Sequence, residues 1–339
     1  MRTLVTGAAG RIGANLVKAL VEKGDEVRAF VLPDDPKAAK LEGLDAELVR
    51  GDLRDADAVN RAVHGVERVV HLGYIMGRPQ GMAKATEFEI NTTGTFNMLE
   101  AASHHVAKIQ KFVFASTNAT YDAFHPRYVP MDESHPQEPH SFYGMEKLLG
   151  ERMVEAYARQ CGLRGTIVRF GTVPGPDEVL SHLEAAYVAG ILRSQGCDPT
   201  SALYAAGVPA PWQPVQDAIE EGYALVLPRG PDGQSWMQDL VDVRDTVQGI
   251  LHALDGEAAV GEAFNTTGFG VPWEEAVPYL AQQTGQPYKE ILLPNLWYWR
   301  CDNRKAERLL GYAPEITIKR MIDDALAFQA GQDLGLLPA

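Results

Sequence analysis

The strongest constraint on this chain is a glycine turn set between a strand and a helix, within about its first thirty residues. Met1–Thr6 (MRTLVT) is a short apolar run with β-branched residues, long enough for one buried strand. Gly7-Ala8-Ala9-Gly10-Arg11-Ile12-Gly13 follows at once. From Ala14 to Lys23, Leu16, Val17, Leu20 and Val21 recur on one face at helical spacing. Gly24 ends that helix, and Glu26–Leu32 reads as a second strand. The glycines have distinct tasks in such a unit. One permits the tight turn, one lets the backbone approach a pyrophosphate, and one lets the helix lie close to the strand. Unpaired N–H groups and the dipole at the helix N-terminus then favour an anion. Strand, glycine turn, helix and strand in this order predict half of a doubly wound, dinucleotide-binding parallel sheet.

The chain of 339 residues is long enough for one large core or two smaller ones, and its 45% hydrophobic content suits an α/β globular protein. It has no run of about 18 apolar residues, so no membrane span is expected. The N-terminus enters a strand directly, without the pattern of a signal peptide. Cys161, Cys197 and Cys301 are far apart and form no CxxC pair, which argues for neither a disulfide framework nor a zinc site and fits a reducing cytoplasm. A formal net charge of −14 argues against a nucleic-acid partner.

With Thr6 in front of it, the G-x-x-G-x-x-G spacing of TGAAGRIG resembles the short-chain dehydrogenase/reductase superfamily, in its extended, NAD-dependent epimerase/dehydratase-like branch. The resemblance implies a Rossmann-type doubly wound parallel sheet over residues 1–175. A smaller, mixed substrate-binding part over 176–339 follows, with segments at about 235–270 returning to the core. It implies a nicotinamide cofactor held by Gly7, Gly10, Arg11, Ile12 and Gly13. Asp52-Leu53 would follow the third strand (Glu47–Gly51), with Asp52 either contacting adenine or N-capping the helix near Asp55–His64. Leu72 and Gly73 would end the fourth strand (Arg68–Leu72), and Asn91 would sit in a helix over Glu87–Ser103. The acidic residue that usually holds the adenosine ribose is replaced by Val31. Asp34 and Asp35 would repel a 2′-phosphate and Arg11 would attract one, so the choice between NAD and NADP leans towards NAD.

Ser116-Thr117-Asn118 follow a fifth strand, Lys111–Ala115, at the carboxyl end where such sheets carry their chemistry. Tyr143 and Lys147 are four apart at the start of the next helix and therefore share a face. A phenol with a pKa of about 10 is a poor base at neutral pH, and a neighbouring ammonium lowers that value. The resemblance assigns Tyr143 as general acid/base, Lys147 as its electrostatic partner and ribose ligand, and Thr117 as the hydroxyl that orients the substrate, with Ser116 as the competing choice. A sixth strand, Gly165–Gly171, leads into helical patterns near Val179–Leu192 and Val215–Glu221, expected to cover the substrate. Ser235–Asp245 resembles the segment that re-enters the sheet, with Asp242 and Asp245 anchoring a helix over Thr246–Leu254. Trp297-Tyr298-Trp299 reads as packing of the C-terminal part.

These features favour hydride transfer between the nicotinamide and a small alcohol or carbonyl compound, such as a sugar or sugar-acid derivative. Asn118-Ala119 stand where related dehydratases carry Asp-Glu, and Gln238 stands where nucleotide-sugar epimerases carry a diphosphate-binding arginine. Arg229, Arg244 or Arg300 would have to compensate for that loss. The alternative is a nucleotide-sugar epimerase that retains NAD. A third reading, a non-catalytic dinucleotide sensor, has no need of Tyr143 and Lys147. A homodimer through the helices holding Asn91–Ser103 and Tyr143–Gln160 is expected by the same resemblance.

Overall fold

Seven parallel strands form the central sheet: β1 (Arg2–Thr6), β2 (Glu26–Val31), β3 (Ala46–Arg50), β4 (Arg68–His71), β5 (Lys111–Thr117), β6 (Gly165–Phe170) and β7 (Ala263–Asn265). The structure, a computed structural model, describes residues 1–122, 126–197, 202–205, 207–294 and 297–338. Strand order is β3-β2-β1-β4-β5-β6-β7, so the direction of winding reverses between β1 and β4. At such a switch point the two loops leaving the carboxyl ends part and open a crevice. The inner strands are buried on both sides because both faces of the sheet are covered, whereas the edge strand β3 is half-buried or exposed. Helices Arg11–Glu22 and Val243–Asp255 bury Leu16, Val17 and Ile250 on one face. Helices Ala56–Val63, Gly94–His104 and Phe142–Cys161 bury Val59, Leu99 and Val154 on the other.

A separate apolar core lies in the C-terminal part. It joins helices Ala185–Cys197, Gln213–Glu220, Trp273–Thr284 and Ile318–Gln329 to a two-stranded parallel sheet of Leu225–Arg229 and Tyr288–Leu292. Trp297 belongs to this core, its ring 5.3 Å from that of Trp236 and 6.1 Å from that of Trp299, so the aromatic triplet packs as expected.

Several sequence expectations shift. The strand inside Ser235–Asp245 is only Met237–Gln238. It pairs antiparallel with Val271–Pro272, outside the central sheet. The strand that re-enters the sheet is β7, which lies next to β6. Asp242 does cap the helix that follows, by accepting the Arg244 N–H, whereas Asp245 accepts the N–H groups of Glu315 and Ile316 and ties down the C-terminal segment. Asp52 is not the cap of helix Ala56–Val63. Asp55 is, accepting the N–H groups of Asp57 and Ala58, because a cap residue must directly precede the first helical turn. The helix expected over Glu87–Ser103 begins at Lys84 and contains a π-turn, Glu89–Thr93, before running to His104. β5 extends through Ser116 and Thr117.

Candidate active site

The crevice at the switch point is a cavity of about 370 Å³, lined by Gly7, Gly10, Val31, Asp52, Leu53 and Gly73 among others. Its floor is the glycine turn. Gly7 has φ +64, and a Cβ there would stand 2.9 Å from Gly73 Cα. A Cβ on Gly13 would stand 2.2 Å from the Gly7 carbonyl oxygen. The loops after β1 and β4 therefore touch backbone to backbone, and the helix N-terminus at Arg11 and Ile12 opens beside them. This cradle fits the pyrophosphate of a dinucleotide. Thr6 fastens it by accepting the Gly73 N–H at 3.0 Å, and its hydroxyl meets His71 at 2.7 Å. Burial pushes the His71 pKa down to about 3, so the ring is a neutral strut between Thr6 and Thr95.

Other residues expected along the cofactor are placed as follows. Val31 and Asp35 both line the cavity. Asp35 also caps the turn Pro36–Leu41 through the Lys37 N–H. Asp52 is forked by Arg54, whose Nη2 lies 2.7 Å away, and this guanidinium holds the carboxyl below its usual range. The Arg11 guanidinium turns away from the cradle. It bonds the Val173 carbonyl at 2.7 Å and pairs with Glu178, so it is engaged where a 2′-phosphate would need it. Asn91 sits inside the π-turn with its amide fully engaged. It exchanges hydrogen bonds with the Ile75 backbone and donates to Glu146 at 2.7 Å, while its neighbour Ile90 lines the cavity.

Helix Phe142–Cys161, capped by Ser141, carries Tyr143 and Lys147. The Thr117 side chain favours the ionised form of the Tyr143 phenol against the effect of burial, whereas Ser116 is committed to Glu151. Burial drives both members of the pair towards their neutral forms, pushing the Tyr143 phenol up and Lys147 down to about 7. Burial outweighs the lowering expected from the ammonium, and the phenol stands above its ordinary value. Lys147 Nζ donates to the Ala115 carbonyl at 2.6 Å and lies 5.9 Å from the Tyr143 ring centroid.

Three features around the pair escaped the sequence. Tyr74 presents its ring to Lys147 Nζ, 3.4 Å from the centroid. Glu146 is buried beside the pair; Asn91 holds one carboxylate oxygen and the other has no partner. Glu151 forms a fully buried fork with Arg169 of β6, at 2.7 and 2.9 Å, and Arg169 also holds Tyr121. The spacing of Tyr143, Lys147 and Glu151 at successive fours was a signal for the last of these. Asn118, adjacent to Thr117, donates to buried Asp239, whose pKa burial raises to about 7.

A sequence model described as the NAD dependent epimerase/dehydratase family matches residues 3–266. The chain belongs to that family. A UDP-glucose 4-epimerase of Azospirillum brasilense is 34% identical over 58% of this chain, which spans only 56% of that relative's length. An L-arabinose 1-dehydrogenase (NAD(P)(+)) of Haloferax volcanii is 35% identical over 58% of this chain and 78% of its own. Among solved structures, a short-chain dehydrogenase/reductase superfamily protein from Agrobacterium tumefaciens with bound NAD is 30% identical, with a TM-score of 0.82 over 98% of this chain and all of that one. Family membership carries the nicotinamide cofactor with it, and the glycine cradle has the shape to hold it.

Proposed function

We propose that this protein is an NAD-dependent dehydrogenase acting on a small sugar or sugar-acid derivative. NAD lying along the glycine cradle supplies the hydride acceptor. Tyr143 takes the proton of the substrate hydroxyl as the carbon-bound hydride leaves, and returns it to the carbonyl in the reverse direction. Thr117 orients the substrate oxygen, and Lys147 stabilises the phenolate. The C-terminal part, from about residue 176, forms the substrate side of the site. Asp35 on the cavity wall and the engaged Arg11 support NAD over NADP.

The observation that carries the choice of substrate is the state of the arginines. A diphosphate calls for a free guanidinium fork. Gln238 donates its amide to Tyr187, Arg229 is held by Glu274 and Glu290, and Arg244 by Asp242 and Asp324. Of the three arginines able to compensate for Gln238, only Arg300 carries no ion pair among the described residues. The test offers NAD with a panel of free sugars, sugar acids and nucleotide sugars and follows absorbance of the reduced nicotinamide. Net reduced cofactor with a free sugar or sugar acid is the expected result. Inversion of a nucleotide sugar without net reduction would overturn the proposal in favour of the epimerase.

Phe96 and Leu149 stand 45% and 38% exposed on the two neighbouring helices Gly94–His104 and Phe142–Cys161, which supports a homodimer through that face. Sedimentation showing only monomer at micromolar protein would count against it. No helix among the described residues is long and apolar enough to cross a membrane. The exposed free thiols Cys161 and Cys197 support a reducing, cytoplasmic setting.

A further inference from the structure

The surroundings of Lys147 leave a chemical account open. An ammonium has three N–H donors, and this one is fully enclosed. The hydrogen bond to the Ala115 carbonyl, at 2.6 Å, satisfies one donor. The group next to Nζ is then not a carboxylate but the face of Tyr74, 3.4 Å away at its centroid, with the Phe114 ring at 5.1 Å. Aromatic faces carry the negative end of the ring quadrupole and attract a desolvated cation.

Tyr74 is fixed in that pose from several sides. Its hydroxyl donates to the backbone carbonyl of Glu146 at 3.0 Å. Its ring meets Tyr143 edge-on at 6.2 Å and Phe114 at 6.3 Å. The next residue, Ile75, is clamped through both backbone groups by Asn91. Burial pushes the Tyr74 phenol up, and its proton is already donated, so it does not compete with Tyr143 as a base.

The carboxylates of Glu151 and Glu146 also favour the ammonium, but neither forms an ion pair with it, so they do not replace this contact. On its own helix, both carboxylate oxygens of Glu151 are occupied by Arg169 of β6, with Ser116 and Gln137 adding further bonds. Glu146 is bonded to Asn91 of the π-turn, faces Glu87 of the same helical segment, and is itself pushed up by burial. From β4, His71 is neutral. From β5 come the Ala115 carbonyl and Phe114. We propose that Tyr74 is a positioning residue for the Tyr143–Lys147 pair, its ring face holding the Lys147 ammonium protonated and in register behind Tyr143. The inference rests on the proposed role of Lys147 in hydride-transfer chemistry, but its central claim is about proton affinity in the cofactor-free protein.

The sign follows directly. Removing the aromatic face favours the neutral amine, so the Lys147 pKa falls. With less positive charge nearby, Tyr143 ionises less readily. In alcohol oxidation the alkaline limb of the kcat/KM profile then moves down and the acid limb moves up.

The experiment titrates Lys147 by NMR in cofactor-free protein labelled with 13C at lysine Cε, the resonance being assigned by its loss in Lys147→Met. Wild type is compared with Tyr74→Phe, which keeps the ring, and Tyr74→Leu, which does not. A third variant carries pentafluorophenylalanine at position 74, which keeps the ring's shape and reverses its quadrupole. The expected result is a wild-type titration in Tyr74→Phe and a pKa lower by about one unit, a tenfold loss of proton affinity, in the leucine and fluorinated variants. The fluorinated ring decides the matter if Tyr74→Leu does not fold. A wild-type titration with the fluorinated ring would overturn the proposal. Lys147 behaving as expected in a protein that oxidises no sugar would instead sink the functional reading and leave the role of Tyr74 standing.

Discussion

Gly13→Ala sets helix propensity against the cofactor cradle. Gly13 lies in the first turn of helix Arg11–Glu22, where alanine is intrinsically better than glycine by about 1 kcal/mol. Its Cβ would nevertheless stand 2.2 Å from the Gly7 carbonyl oxygen and 2.9 Å from Ala8 Cα. Ordinary contact begins near 3.4 Å, so helix and turn must part by about 1.2 Å. The turn has little room to yield. The Gly7 carbonyl is held by the Gly10 N–H at 2.9 Å, and Gly7 itself lies against Gly73. Such a displacement takes backbone N–H groups out of reach of the pyrophosphate. Losing one to two hydrogen bonds to a charged group, at about 1.5–3 kcal/mol each, weakens binding of order 100-fold. Calorimetric titration with NAD, alongside near-ultraviolet circular dichroism to confirm the fold, is the assay. Gly190→Ala is the control: it is also inside a helix, has open space around its Cβ, and is expected to gain about 0.5–1 kcal/mol of stability with NAD binding unchanged. A folded Gly13→Ala protein that binds NAD within about threefold of wild type would refute the claim that backbone contact shapes the cradle.

Glu151→Ala leaves Arg169 buried without its carboxylate, at a cost of about 3–5 kcal/mol; urea unfolding followed by tryptophan fluorescence measures it, and a loss below about 1 kcal/mol would count against a structural role for the fork. Tyr143→Phe is expected to lower turnover by about 10²–10⁴ while NAD affinity measured by calorimetry stays at the wild-type level, and unchanged turnover would remove Tyr143 from the mechanism. His71 provides a pH prediction. Its folded pKa of about 3 lies below the ordinary histidine value of 6.5, so only the unfolded chain binds the proton between them. Its contribution is present in full above pH 6.5 and falls as the pH drops through that window, by about 3 kcal/mol at pH 4. The slope of unfolding free energy between pH 7 and pH 4 should flatten in His71→Asn, and an unchanged slope would show that this ring does not stay neutral.

The first half of the fold is legible because its signals are local. The strand at Met1–Thr6, the glycine turn and the apolar face of Leu16, Val17 and Leu20 each lie within a few residues of one another, and the structure keeps them nearly in place. Tyr143 and Lys147 are legible for the same reason: a helix fixes their relation whatever surrounds it. What decides their chemistry is not local. Arg169 reaches Glu151 only because β6 lies beside β5, and Tyr74 reaches Lys147 only because β4 lies on β5's other side. Composition near Tyr74 carries no hint of that contact. The distinction between Asp52 and Asp55 was within reach, since only Asp55 abuts the first turn. The difference between Met237–Gln238 and β7 was not, because strands of two and three residues leave too short a pattern to show which sheet they join.

Burial explains why so much of the chain is built around one helix turn. It opposes charge on both Tyr143 and Lys147, so near neutrality the phenol stays protonated and the lysine, at about 7, holds its charge only in part. A charged pair forms there only if the groups behind it favour the cation without neutralising it. A free carboxylate against Nζ would do the opposite. It would bind the ammonium and compete with the phenolate for its field. In this protein Glu151 is turned into a fork with Arg169, Glu146 is bonded to Asn91, and the face next to the ammonium is an aromatic ring. The arrangement supplies attraction with no carboxylate in contact with the ammonium, Glu151 and Glu146 acting on it only from a distance, and under the proposed mechanism it leaves Tyr143 as the group whose ionisation the lysine assists.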